Sequence, residues 1–192
     1  MRLTERVHQR LQAHLKTGDT AIDATAGNGY DTAKLARLVG SSGHVIAIDI
    51  QQSAIDSTRR RLSETKQLDT VALHCADHAA LLAELEPQLT GQVAAITFNL
   101  GYLPGSDKSI QTQAATSCAA LESSSKLLKA GGLLFVTAYR GHEGGMDEAQ
   151  EVATWLQALP SEAWSLECYE PEKINPDRPS PILWVAQRND SP

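Results

Sequence analysis

Short β-branched runs alternate with longer amphipathic segments along the whole of this 192-residue chain, and that alternation restricts its fold more than any other feature. Residues 4–16 place Val7, Leu11 and Leu15 at helical spacing, and Gly18 can end the helix. A strand over 20–23 runs into a glycine turn, and a helix over 30–39 turns Leu35 and Leu38 inward before Gly40. Strand 44–49 and helix 53–67 follow, the latter with Ile55 and Leu62 on one side. Strand 70–75, a short helix over 79–85 ahead of Pro87, and strand 93–98 come next. A long helix over 110–128 is predicted to stop at Lys129-Ala-Gly-Gly132, before strand 133–139 and a helix over 146–159 that Pro160 ends. Strands 163–169 and 182–187 close the chain with no helix between them.

Strands alternating with helices require right-handed crossovers and a mostly parallel sheet covered on both faces. The helix-free final connection permits an antiparallel partner, since only antiparallel neighbours can dispense with a crossover. The expected fold is therefore α/β and Rossmann-like, with a seven-stranded, mostly parallel sheet and an antiparallel edge strand. No repeat, low-complexity tract or linker interrupts the pattern, so one domain over residues 1–192 is expected.

Composition adds exclusions. No apolar stretch approaches the roughly 20 residues that span a bilayer. The start, Met1-Arg-Leu-Thr-Glu-Arg6, is not the apolar core of a signal peptide, so cytoplasmic residence is expected. Cys75, Cys118 and Cys168 are far apart and signal neither a disulfide framework nor a zinc site. Cys75 and Cys168 fall in strand-like runs and are expected to be buried, inert thiols. A net charge of −6 argues against tight nonspecific binding to long duplexes but allows a local basic face. The Arg59-Arg60-Arg61 run makes no such face, because consecutive helical residues point about 100° apart.

The densest motif is Asp23-Ala-Thr-Ala-Gly27-Asn28-Gly29-Tyr30-Asp31-Thr32, directly after the first strand. Gly27 and Gly29 allow a sharp turn and a close ligand, and the helix that follows aims its unpaired N–H groups at it. Asp49 ends the second strand, 20 residues beyond Gly29, where a carboxylate can accept both hydroxyls of a ribose. Strand before, helix after and acid at the next strand end together indicate a nucleotide site. A dinucleotide fingerprint needs a third small residue, and that position holds Thr32. Asp23 would also repel a pyrophosphate, whereas it suits the α-amino group of a methionine moiety. This charge logic points to S-adenosylmethionine, bordered by Asp23, Ala24, Gly27, Asn28, Gly29, Asp31, Thr32, Asp49 and Ile50. After the third strand, Asp77 could accept an exocyclic amine of adenine or simply cap the next helix; His78 beside it reads by itself as a surface residue and is carried with Asp77 as a cofactor-binding candidate.

Phe98-Asn99-Leu100-Gly-Tyr102-Leu-Pro-Gly-Ser-Asp107-Lys108-Ser109 follows the fourth strand. In open α/β sheets ligands bind outside the carboxyl ends of the strands, so this loop should border the transferred group, with Asn99 touching the cofactor too. Asn99, Tyr102 and Asp107 supply polar groups there, and Leu100, Lys108 and Ser109 would meet the acceptor. A well-capped helix start explains Asp107 or Ser109 but leaves Asn99 and Tyr102 idle. Arg140 and His142, among the glycines after the fifth strand, could hold a phosphate and take a proton; a solvated loop is the alternative.

These residues resemble the rRNA methylase family of small bacterial class I methyltransferases. The resemblance rests on Asp23 to Gly29, Asp31-Thr32, the Asn99-Leu-Gly-Tyr-Leu-Pro run, Asp107 to Ser109, Gly141-His142, Gly144-Gly145 and the stretch 174–181. It departs at Tyr30, where histidine is frequent, at Gln111-Thr112-Gln113, and at Arg140 and Glu143, which replace prolines. The resemblance implies methyl transfer from S-adenosylmethionine to the 5-aminomethyl group of a tRNA wobble uridine. Asn99, Tyr102, Asp107 and His142 are then the catalytic candidates. Such an enzyme needs tRNA as its partner, calls for neither membrane nor metal, and leaves a homodimer open.

Overall fold

The computed structural model describes residues 1–101, 111–170 and 179–190. Among them the elements run α1 (Leu3–His14), β1 (Thr20–Asp23), α2 (Tyr30–Val39), β2 (His44–Asp49), α3 (Gln52–Glu64), β3 (Val71–Cys75) and α4 (His78–Leu89). β4 (Val93–Leu100), α5 (Ala114–Leu127), β5 (Leu128–Ala138), α6 (Gly145–Gln157), β6 (Trp164–Tyr169) and β7 (Ile182–Arg188) follow. The strands form one sheet in the order β3-β2-β1-β4-β5-β7-β6. Pairings from β3 through β5 are parallel; β7 runs antiparallel to both β5 and β6, so the reversed pairings are confined to one edge. The mostly parallel α/β sheet expected from the alternation is present.

Its central strands are mostly apolar, and the pleat sorts those residues onto two faces. Ile22, Ile46, Phe98, Val136 and Trp184 pack with Leu82, Leu121 and Val152 from α4, α5 and α6. Their strand neighbours Ala21, Val45, Phe135 and Val185 pack with Leu11 and Leu35 from α1 and α2. Each fully buried Leu, Ile or Phe contributes about 1.5–3 kcal/mol.

Three boundaries, and the exposure of two cysteines, differ from the sequence-based expectation. α4 continues through Pro87, because Leu82, Leu85 and Leu89 pack on the core and only the terminal turn loses a hydrogen bond. α5 starts at Ala114, after Thr112 N–H bonds the Gly101 carbonyl at 2.9 Å and Gln113 stays extended. β5 begins at Leu128, so the glycines read as a helix stop instead form an irregularity within the strand, with Gly131 at φ 73°. Cys75 and Cys168 are exposed, not buried, since β3 and β6 are the two edges of the sheet.

Candidate functional site

The carboxyl ends of β1, β2 and β4 meet at the glycine turn. Gly29 has φ 77°, and a Cβ there would stand 2.8 Å from the Thr58 Cα, so only glycine fits. α3 clasps the turn from outside: Thr58 Oγ1 donates to the Gly27 carbonyl at 3.1 Å, and Arg61 Nε to the Asn28 carbonyl at 2.7 Å. Nothing in the sequence of α3 marked these two residues, since their partners lie about thirty positions away. From inside, Asp49 accepts the Gly27 N–H and the Gln51 N–H, one on each oxygen and both at 2.9 Å. Burial holds the Asp49 carboxyl above its usual range against these backbone donors.

A cleft of about 730 Å³, counting its open mouth, lies beside Asp49 and is walled by Ala24, Gly27, Ile50, Ala76, Asp77 and Asn99. Asp77 caps α4 by accepting the Ala80 N–H at 3.0 Å, and it also borders the cleft. The expectation for His78 is corrected: the ring is buried, set edge-on to Phe98, and its Nε2 has no hydrogen-bond partner among the described residues. Burial lowers its pKa, against the charge of Asp77.

Asp23 and Thr32 are also corrected. Both are fully buried, and they bond each other, Thr32 Oγ1 donating to Asp23 at 2.6 Å. Neither is among the residues that line the two clefts, and Asp23 supports the turn through its bonds from Thr25 and Thr32. Burial, then the charge of Asp31, raise its pKa to about 7.

Asp31, only partly buried, borders a cleft instead. It borders a second, wider cleft of about 1570 Å³ together with Asn28, Tyr30, Asn99, Tyr139 and His142. Its two oxygens join elements far apart in sequence: Oδ2 accepts the Asn99 Nδ2 at 2.8 Å, and Oδ1 meets His8 Nε2 of α1 at 2.7 Å. The Asn99 backbone N–H donates to Thr25 Oγ1 at 2.7 Å. Asn99 and Gly27 line both clefts, which therefore join at this point. The sequence reading missed His8, as nothing local distinguishes it from other polar residues of an amphipathic helix.

The loop after β5 differs from expectation as well. Arg140 is not displayed to solvent; it is 8% exposed, with Nε donating to the Ser180 carbonyl at 2.7 Å and Nη1 to Glu170 at 3.0 Å. It ties the β6–β7 connection down, and the same side chain also borders the second cleft. Leu100 is likewise corrected, its side chain being wholly buried while its carbonyl accepts the Tyr139 N–H. His142 is half-buried, with Nδ1 3.0 Å from the Glu143 carbonyl. Nearby, the buried Glu148 accepts from Thr112 at 2.8 Å and Ser117 at 2.6 Å, anchoring the start of α5. Tyr102, Asp107, Lys108 and Ser109 lie outside the described residues.

The fold agrees with what comparison with known proteins finds. Residues 45–187 match the family described as "Putative rRNA methylase". The chain belongs to this rRNA methylase family. A relative from Arabidopsis thaliana, named "tRNA (mnm(5)s(2)U34)-methyltransferase, chloroplastic", is 38% identical over 169 residues, which are 84% of this chain and 61% of the relative. The chain thus spans about three fifths of that protein's length. The crystal structure of a "putative rRNA-methylase" from Clostridium thermocellum superposes with a TM-score of 0.90 at 33% identity, covering 98% of each chain. A "putative methyltransferase" from Streptococcus mutans, in complex with SAH, gives 0.85 at 31% identity, again over 98% of each. Among the described residues, this family member has no helix long and apolar enough to cross a membrane, and no three His, Cys, Asp or Glu side chains converge as metal ligands.

Proposed function

We propose that this chain is an S-adenosylmethionine-dependent methyltransferase that methylates the 5-aminomethyl nitrogen of the wobble uridine of tRNA. The observation that carries the reading is the meeting of two clefts at Asn99, in a chain similar to a named tRNA (mnm5s2U34)-methyltransferase. One cleft suits a nucleoside and the other an acceptor brought to its edge.

The first cleft fits the cosubstrate. Asp49 holds the Gly27 and Gln51 N–H groups, one on each oxygen, and a carboxylate oxygen can accept a ribose hydroxyl besides, while Ala76 and Ile50 offer apolar walls for a purine. A dinucleotide fits less well, because Thr32 fills the place of the third small residue and bonds Asp23 beneath the turn. When bound, S-adenosylmethionine supplies a sulfonium methyl as the electrophile.

The chain's own part is alignment, which can supply roughly 7–11 kcal/mol of barrier reduction. Because its Nδ2 is committed to Asp31, Asn99 turns its carbonyl oxygen to the cleft, where it can accept an N–H of the amine and orient the lone pair. Asp31, anchored by His8, presents negative charge that favours arrival of an ammonium group. That ammonium must lose a proton before it attacks. We assign the step to His142, whose Nδ1 contact with the Glu143 carbonyl favours the tautomer with a basic Nε2. Tyr102 and Asp107 would complete the acceptor side. The thiols of all three cysteines are free, two of them exposed, which suits the reducing cytoplasm.

The test is purified protein incubated with S-adenosylmethionine and tRNA carrying unmethylated 5-aminomethyl-2-thiouridine, followed by mass spectrometry of the nucleosides. The reading requires one methyl group added at that nucleoside. Methylation of free metabolite amines with none on tRNA would sink it.

A further inference from the structure

Tyr30 is the first residue of α2 and, although apolar over most of its surface, it is 64% exposed at the rim of the second cleft. One face of its ring is covered: the Arg61 guanidinium carbon sits 3.6 Å above the ring centroid. Arg61 is itself tied to the glycine turn through its bond to the Asn28 carbonyl, so the cation and the ring form a fixed stack. The exposed area of Tyr30 is therefore the opposite face and the edge, beside Asn28, Asp31 and Asn99 in the same cleft. A presented aromatic face with a cation behind it is what an unpaired nucleobase stacks on.

We propose that Tyr30 is the stacking platform for an unpaired nucleobase of the RNA acceptor, placed next to the nucleotide that receives the methyl group. The inference rests on the functional reading above and adds how the RNA is held. Stacking reads the π-face of any base, so the platform fixes position without selecting sequence. The acidic chain gains a local cation there, Arg61, which its stacking on the ring and its bond to the Asn28 carbonyl fix in place, and its charge favours a phosphate of the same strand.

The experiment measures methylation kinetics on an anticodon stem-loop RNA, together with the affinity for S-adenosylhomocysteine, for wild type, Tyr30→Ala, Tyr30→Phe and Tyr30→Trp. Tyr30→Ala should raise KM for the RNA by about tenfold or more, with the loss concentrated in KM. Phe and Trp should recover it, because stacking needs the ring and not the hydroxyl. A Tyr30→Ala protein with wild-type KM overturns the platform. So does Tyr30→Phe as impaired as Tyr30→Ala, or a parallel loss of S-adenosylhomocysteine affinity, which would make the ring a prop for the turn. If wild type itself methylates no RNA, the functional reading fails first, and the platform falls with it.

Discussion

The two sides of the joined clefts are wired differently. On the β2 side, polar groups are satisfied by backbone: Asp49 holds the N–H groups of Gly27 and Gln51, and Asp77 holds that of Ala80. On the β4–β5 side, side chains hold side chains across the molecule, Asn99 to Asp31 to His8, and Arg140 to Glu170. Backbone-held carboxylates are fixed as soon as their strands pair, so that side is preorganised by the fold itself. The acceptor side depends on rotamers of three or four residues brought together from distant elements. A shared family chemistry can then keep the first arrangement while the second is altered for a particular acceptor.

The largest expected effect breaks the preorganised side. Gly29→Ala places a Cβ against the Thr58 backbone at a left-handed φ, which should cost about 2–5 kcal/mol in stability and abolish binding of S-adenosylhomocysteine. Thermal melts and calorimetry read both; a variant of wild-type stability would show that α3 can shift away. Next comes Asp49→Ala, which should weaken S-adenosylhomocysteine by about 1.5–3 kcal/mol, as expected when hydrogen bonds to a charged group are lost. Calorimetry that finds no loss, or finds NAD bound, would remove the nucleoside from this cleft.

The same contrast explains what was legible in the sequence. The strand–glycine–helix unit, Asp49 and the capping Asp77 are local or sit at a fixed spacing, so periodicity and turn chemistry reach them. Asp23 misled because its place in the motif says nothing of its burial, which β1 acquires only by lying centrally between β2 and β4. The carboxylate of this motif that borders a cleft is Asp31, eight residues later. His8, Thr58 and Arg61 were invisible, their partners lying 23 to 33 residues away. Cys75 and Cys168 sit in apolar runs like those of the central strands, and only strand order reveals them as edge residues.

The side-chain wire predicts a smaller, more selective loss. Asn99→Ala should lower kcat about tenfold, and His8→Ala by a lesser factor, with S-adenosylhomocysteine affinity unchanged. His8→Gln, which keeps a donor toward Asp31, should recover most of the loss. If Asn99, Asp31 and His8 act as one unit, the double variant will be less impaired than the product of the two single effects. Strict additivity would mean that His8 only decorates α1, and the proposed contrast between the two sides would weaken accordingly.

The smallest expected effect concerns stability alone and separates Asp23 from the clefts. Burial and the charge of Asp31 raise its pKa from 3.8 to about 7. Between those values the folded chain keeps a proton that the unfolded chain has released, so stability falls as pH rises through that window and levels above it. Asp23→Asn removes the titration while keeping an oxygen for Thr32. The gap in melting temperature between wild type and Asp23→Asn should therefore shift against wild type from about pH 4 to about pH 7, and then stay constant. His78, lowered by burial, is present in both proteins and cancels in this difference, whereas Asp31 and Asp49, whose charges act on Asp23, titrate as part of the same group of carboxylates. A gap independent of pH would give Asp23 an ordinary acidity and return it to solvent contact, where it could face a ligand. Unchanged affinity of Asp23→Asn for S-adenosylhomocysteine would leave it as the buried support of the turn, with Asp31 as the carboxylate facing the acceptor.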